Sequence, residues 1–196
     1  MALVLGLDIS TSCTGWCVMS DDQNDPLGHG STWLGYIPLG DKKGSFRKAG
    51  EVQRVISEIQ IRHNIQRIFI EENLQSFRTG LSSAKTLATL ARFNGIVSYL
   101  VEDQFGIEPE FINVNAARRR VGLNLIRKSK GGAPTKDQVM EWVSLDMKQH
   151  NVTHTWPTKI LKSGPRKGLE IPLPYCHDMA DAYVIAYAGI LGLTTQ

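Results

Sequence analysis

The chain has 196 residues, enough for one domain with its own hydrophobic core, so no disulfide or structural metal is needed for folding. Its formal net charge of +3 is too small by itself to indicate a polyanionic partner. The three cysteines are an odd number without paired metal-ligand spacing, which predicts reduced thiols and a cytoplasmic protein. Neither a secretory signal nor a membrane span is predicted, because Asp8 and Asp181 interrupt the two long apolar stretches.

The first third of the chain predicts part of a sheet. Residues 2–19 form an apolar run that reaches Asp8, turns through Ser, Thr and Gly, and resumes, which indicates a buried strand and its hairpin partner. Residues 30–39 predict a third strand. Residues 46–61 predict a helix, because apolar residues recur there at the spacing of one helix face.

The rest of the chain alternates strands and helices, which predicts an α/β domain. The expected elements are a strand at 67–71 ending in Glu71, a helix at 84–101, a strand at 109–114, a short helix at 116–120, a helix at 135–149 with Thr135 as its cap, and a helix at 176–193 that is buried almost all round. Residues 151–174 contain four prolines and no clean period, so they predict an extended loop within the domain.

Four acidic residues lie where these elements would meet at one edge of the sheet. Asp8 and Glu71 end apolar strands, and Asp178 and Asp181 lie three residues apart near the start of the last helix. Taken alone, Asp8 also fits a turn residue and Asp178 a helix cap. Asp181 has apolar helix neighbours, and a buried carboxylate must be paired or bind a metal.

Grouped carboxylates repel one another and raise each other's pKa unless a cation neutralises them. Ligation by carboxylates alone suits Mg²⁺ or Mn²⁺ and not zinc. A pair of such ions can activate water and stabilise the leaving oxygen in phosphodiester hydrolysis. The acids therefore predict the class of reaction but do not identify the substrate.

Basic residues concentrate in two stretches, 118–136 and 159–167. No acid interrupts the first stretch, which makes it a candidate for salt-sensitive phosphate contacts. A solvated charged surface remains the alternative. The candidate nucleic-acid contacts in the first stretch are Arg118, Arg119, Arg120, Lys128, Lys130 and Lys136.

Three segments together resemble the RuvC-type Holliday junction resolvases of the ribonuclease H-like superfamily. They are LGLDISTSCTGWCVM at 5–19, FIEEN at 69–73 and HDMADAYVIAYAG at 177–189, and TKDQV at 135–139 resembles a further family segment. The resemblance implies an α/β, ribonuclease H-like fold, with a mixed five-stranded sheet flanked by helices. It also implies that residues 1–196 form a single RuvC-like nuclease domain.

By the same resemblance, Asp8 would bind both of two Mg²⁺ ions, for which Mn²⁺ would substitute. Glu71 would help hold the ion that activates water, Asp181 would complete the ligand set, and Asp178 would be a ligand or general base. Lys136 would contact the DNA junction. The implied protein is a homodimer that makes paired symmetric nicks in a four-way junction, without a membrane or nucleotide cofactor.

The chain departs from the family pattern in two loops. Leu74 stands roughly where the bacterial enzymes have an aromatic residue that stacks on junction bases. Phe77, beside Arg78, is the candidate replacement, with local packing of Phe77 as the alternative. Residues 151–174 are longer than the family segment. These differences suit a phage-type member that acts in a bacterial cell or a phage-infected host.

Other functions stay open at this point. Asp8 followed by Ser10, Thr11 and Ser12 also resembles the phosphate-binding turn of actin-like sugar kinases, but those enzymes need two such domains. A ribonuclease H or transposase core that acts on RNA–DNA hybrid or branched DNA is the closer rival within the nucleases. A junction-binding module without catalysis is the third possibility, although an unused acid cluster would only destabilise the sheet edge.

Overall fold

The computed structural model describes residues 2–21, 31–72 and 84–193 and organises them around a five-stranded sheet. The strands are β1 (Leu3–Ile9), β2 (Cys13–Ser20), β3 (Thr32–Pro38), β4 (Ile65–Glu71) and β5 (Glu110–Ile112). Their order is β3-β2-β1-β4-β5, with β1 parallel to β4, β4 parallel to β5, and antiparallel pairing of β2 with β1 and β3. The predicted mixed five-stranded sheet is confirmed.

Five α-helices cover the two faces of this sheet in the described part of the chain. They are α1 (Ser45–Arg62), α2 (Ala84–Phe105), α3 (Val114–Arg120), α4 (Thr135–Gln149) and α5 (Cys176–Leu193). Alternate residues of β1 point to opposite faces, so Leu5 and Leu7 pack with α1 and α2 while Val4 packs with α4 and α5. This two-sided burial explains why β1 is a continuous apolar run.

The predicted elements agree with the structure except in two places. Residues 151–174 are not wholly extended loop, because β6 (Thr158–Ile160) and β7 (Glu170–Pro172) pair there as a small antiparallel sheet. Thr135 does not cap α4: it is the first residue of the helix, and the N-cap position is Pro134. The three predicted free thiols, Cys13, Cys17 and Cys176, are free and buried.

Helix α5 packs unusually close to the sheet because two strand residues lack a side chain. A Cβ atom at Gly15 would lie 2.0 Å from the carbonyl oxygen of Asp178, and one at Gly6 would lie 2.6 Å from the carbonyl oxygen of Ala182. Any larger residue at either position would push α5 away from β1 and β2. The glycines therefore fix where the first turns of α5 meet the sheet. No helix in the described part of the chain, α5 included, combines the length and hydropathy that a bilayer span needs.

Candidate functional site

The backbone brings the four predicted acids to one edge of the sheet. Leu7 pairs with Ile70 in the parallel β1–β4 ladder, so Asp8 and Glu71 occupy adjacent positions where the strands end. Asp8 pairs on its other side with Gly15, the residue against which the Asp178 backbone lies. Asp181 follows one turn later in α5 and is buried. Strands β1 and β4 and helix α5 therefore each contribute to a single acidic group.

The electrostatics of Asp8 show how close the other acids lie. Burial raises the pKa of Asp8 well above its usual value, and the charges of Glu71, Asp181 and Asp178 raise it further. The positive charge of Lys136 acts in the opposite direction. Asp8 is thus the member of the group on which the three other carboxylates converge.

Glu71 and Asp178 are shifted in the same direction. Burial, followed by the charge of Asp181, raises the pKa of Glu71 to about 7, although Arg118, Lys136 and a hydrogen bond with Asp8 oppose the rise. Burial also raises the pKa of Asp178, against the influence of Lys136. A raised pKa means that the surroundings stabilise the negative charge of the carboxylate poorly. A bound cation would therefore stabilise the group.

One of the acids already has a cationic partner. The Nη2 atom of Arg118, in the last turn of α3, donates a hydrogen bond of 2.9 Å to Oδ1 of Asp181, and both side chains are largely buried. This ion pair joins α3 to α5. Because Asp181 is 7% exposed, the ion pair gives this buried carboxylate the charged partner that burial requires.

The start of α4 lies beside the acids. Lys136 is exposed in the first turn of α4, and its charge lowers the pKa values of Asp8, Glu71 and Asp178. His177 lies 3.2 Å from Asp137, through its Nε2 atom and the Oδ1 atom of Asp137. This contact joins the first turns of α4 and α5.

The remaining candidate DNA contacts lie on α3, in the 128–130 turn or outside the described residues. Arg120 donates a hydrogen bond of 2.9 Å to the carbonyl oxygen of Ala188, near the far end of α5. Arg119 is exposed on α3, and Lys128 and Lys130 are exposed in a 3₁₀ turn at 128–130. Phe77 and Arg78 lie outside the described residues. A DNA contact by any of these six residues stays a prediction.

Sequence reasoning missed two partners of the acids. It placed Arg118 in a basic stretch but not in an ion pair with Asp181, 63 residues away. It treated Cys13 only as an apolar residue, whereas the Cys13 thiol is hydrogen-bonded to Asp178. A buried carboxylate needs a positively charged partner, and that requirement could have pointed to an arginine such as Arg118. Nothing in the sequence pointed to Cys13.

The chemistry of the donor set fits a hard divalent cation. Its members supply oxygen atoms only, and the pKa values of Asp8, Glu71 and Asp178 are raised by burial, so added positive charge would be stabilising. In the described ranges, no three Asp, Glu, His or Cys side chains are already arranged as a metal-ligand group. Asp181 is engaged by Arg118 in this conformation.

The fold is similar to that of solved DNA-junction enzymes. No protein-family model and no curated protein sequence matches the chain. Thermus thermophilus RuvC in complex with a Holliday junction substrate superposes with a TM-score of 0.63 at 13% identity, over 100% of this chain and 96% of that one. A second T. thermophilus RuvC structure gives a TM-score of 0.59 at 14% identity, over 98% of this chain and 96% of that one.

The yeast mitochondrial Holliday junction resolvase Ydc2 is also similar, with a TM-score of 0.55 at 14% identity, over 97% of this chain and 78% of that one. At these identities the similarity concerns the fold. The chain therefore has the fold of RuvC-type resolvases, which confirms the predicted ribonuclease H-like class.

We expect Arg118→Gln to lower the free energy of unfolding of the metal-free protein by about 3 kcal/mol, because it leaves Asp181 buried without its cation. Arg119→Gln is the matched control, since Arg119 is the adjacent exposed arginine on the same helix. Denaturant unfolding at neutral pH, followed by circular dichroism, measures both. Equal free energies of unfolding for the two variants would contradict the structural importance of the ion pair.

Proposed function

We propose that the chain is a Mg²⁺-dependent, structure-selective DNA endonuclease that resolves four-way junctions by paired nicks. The observation that carries the proposal is the convergence of Asp8, Glu71, Asp178 and Asp181 at one sheet edge, on a fold shared with RuvC and Ydc2. The raised pKa values of Asp8, Glu71 and Asp178 indicate a cost in stability, so a functional role for the group is the simplest explanation.

Asp8, Glu71, Asp178 and Asp181 are the residues that would hold the ions, with Mn²⁺ able to replace Mg²⁺. Two bound ions would supply an activated water and charge stabilisation at the leaving oxygen of a phosphodiester. The chain itself positions the acids, because the β1–β4 register sets Asp8 beside Glu71 and the close contact at Gly15 sets the first turn of α5. The Cys13 hydrogen bond restrains the Asp178 carboxylate.

Of the two cations at this edge, Lys136 is the one placed to meet a phosphate. Lys136 is exposed and acts electrostatically on three of the acids, so a backbone phosphate near the acids would also be near its ammonium group. Arg118 keeps a buried Nε atom without an acceptor in the described part of the chain. Because this atom is shielded from solvent, a phosphate could not reach it in this conformation, and Arg118 acts here as the partner of Asp181.

The rival function is a junction-binding module without catalysis. The observation that favours it is the Arg118–Asp181 ion pair, since a permanent arginine at an acid can take the place of a metal. Under this alternative the same surface would bind branched DNA and leave it intact. A related nuclease that prefers RNA–DNA hybrid is the other rival.

We expect the wild-type protein with Mg²⁺ to cut a synthetic immobile four-way junction at paired symmetric positions, and to leave linear duplex and RNA–DNA hybrid intact. Asp8→Asn is expected to lower the cleavage rate by about 100-fold or more, because loss of a ligand should cost at least as much as loss of its supporting partners. Glu72→Gln is the control, since Glu72 accepts a hydrogen bond of 3.4 Å from Asn113 and is not among the main groups that shift the pKa values of Asp8, Glu71 and Asp178. The cleavage rates of the wild type, Asp8→Asn and Glu72→Gln are measured with end-labelled DNA strands.

Three outcomes of this assay would contradict the proposal. Cleavage of the hybrid alone would assign the site to a ribonuclease H-type activity. Binding of the junction without cleavage would favour the binding module. Equal loss of activity in Glu72→Gln and Asp8→Asn would remove the special role of the acid group.

Paired nicks require two active sites, so we propose a homodimer. The groove between α1 and α2, of about 520 Å³, is lined mainly by apolar residues, and Phe46 and Tyr99 beside it are 82% and 65% exposed. Exposed aromatic residues around an apolar groove are typical of an interface between proteins. The groove lies on the sheet face opposite α4 and α5, so dimerisation through it would leave that face free.

We expect Tyr99→Glu to dissociate the dimer, because it places a charge in the apolar groove. Leu145→Glu is the control, since Leu145 is equally exposed but lies on α4. Light scattering should give twice the chain mass of 21.8 kDa for the wild type and the control, and the single mass for Tyr99→Glu. A monomeric wild type, or a dimeric Tyr99→Glu, would exclude this interface.

A further inference from the structure

The β6–β7 hairpin is an accessory element outside the five-stranded sheet. Thr158 pairs with Pro172, Lys159 with Ile171 and Ile160 with Glu170, and the connection at 161–169 turns through Gly164 and Gly168, both at positive φ. Every residue from 162 to 170 is exposed. The described part of the chain therefore leaves the end of this two-stranded ribbon open to solvent.

The base of the hairpin is anchored to the helices that form the candidate site. Trp156 donates from Nε1 to the Ser144 hydroxyl in α4 at 2.9 Å. The backbone N–H of Leu173 donates to the carbonyl oxygen of Pro157 at 2.8 Å, and the Cys176 thiol donates to the same oxygen at 3.3 Å. Because Cys176 begins α5, the ribbon has a fixed origin two residues before Asp178.

The hairpin carries a concentration of cations without carboxylate partners. Lys159, Lys162, Arg166 and Lys167 are exposed, and none forms an ion pair with any residue in the described ranges. The one acid of the hairpin, Glu170, accepts a hydrogen bond from the Thr158 hydroxyl. Four cations on one short ribbon repel one another, and nearby phosphates would relieve that repulsion.

Two apolar side chains are exposed among these cations. Ile160 is 65% exposed and Leu169 is 53% exposed. A two-stranded ribbon is narrow enough to enter the major groove of duplex DNA, where lysines reach the phosphates and apolar side chains can contact base edges. A hydrophobic protein partner would not select four unpaired cations. The combination of shape, charge and apolar residues favours duplex DNA.

We propose that the β6–β7 hairpin grips a duplex DNA arm next to the acid site. The inference rests on the proposed function and specifies which part of the chain holds the substrate beside the active site. Its fixed base on α4 and α5 sets the distance between the gripped arm and the acids, so the hairpin positions the duplex that enters the site.

The test compares two triple variants that remove the same charge. The first carries Lys159→Gln, Lys162→Gln and Lys167→Gln, and keeps Arg166, which lines a groove against α4. The control carries Arg54→Gln, Arg62→Gln and Lys148→Gln, which are exposed on α1 and α4. Fluorescence anisotropy measures the affinity for an immobile junction and for linear duplex, in EDTA, between about 50 and 200 mM salt.

We expect the hairpin variant to bind both DNAs at least about tenfold more weakly than the control does at about 100 mM salt. Its salt dependence should also fall by about 2 to 3 in the slope of log K against log salt, because each lost phosphate contact removes about 0.9. Affinities and slopes equal to those of the control would overturn the hairpin proposal alone. Failure of the wild type to bind either DNA would overturn the hairpin proposal together with the proposed function.

Photo-crosslinking keeps the proposal falsifiable if the hairpin variant folds poorly. The described cysteines are all buried, so a cysteine introduced by Lys162→Cys can be labelled selectively with a photoreactive group. The labelled protein should crosslink to a junction arm, whereas a label at Lys148→Cys, on the far end of α4, should not. A bound junction without crosslinks from position 162 would overturn the proposal.

Discussion

The carboxylates of Asp8, Glu71, Asp178 and Asp181 lie close together and are shielded from water. Their mutual repulsion is a cost that the elements around Asp8 have to offset. Burial raises the pKa values of Asp8, Glu71 and Asp178, and the charges of neighbouring acids raise those of Asp8 and Glu71 further. The fold offsets part of this cost with the Arg118–Asp181 ion pair and with the charge of Lys136. A divalent cation would neutralise the negative charge that Arg118 and Lys136 leave uncompensated. The grouping of the acids therefore explains both the cost in folding stability and the proposed metal chemistry.

The acids remain grouped because the backbone around them has little freedom to move apart. Parallel pairing of β1 and β4 sets Asp8 beside Glu71, and the absence of a side chain at Gly15 lets α5 lie directly on β2. Helices α3 and α4 then bring Arg118 and Lys136 to the same edge from outside the sheet. The proposed function thus depends on packing residues that carry no chemistry themselves.

Most of the fold and the acid group could be predicted from the sequence because the signals are local. Apolar runs and helical spacing define the strands and helices, and two strands that end in Asp8 and Glu71 indicate a shared edge. The Arg118–Asp181 pair joins residues distant in the chain and has no local signal. The β6–β7 hairpin was missed because its strands have three residues each, include Pro172 and depend on tertiary contacts such as that of Trp156 with Ser144. The predicted Thr135 cap failed because α4 begins directly after Pro134.

Titration with Mn²⁺, followed by electron paramagnetic resonance of the free ion, tests most directly whether the acid group is a metal site. We expect the wild-type chain to bind two Mn²⁺ ions, both without DNA and with DNA present, and Asp181→Asn to lose at least one of them. Glu110→Gln is the matched control, because Glu110 pairs with Arg67 away from the four acids and should leave binding unchanged. Absence of bound Mn²⁺ in the wild type, or equal binding by Asp181→Asn and the control, would show that the acid group is not a metal site.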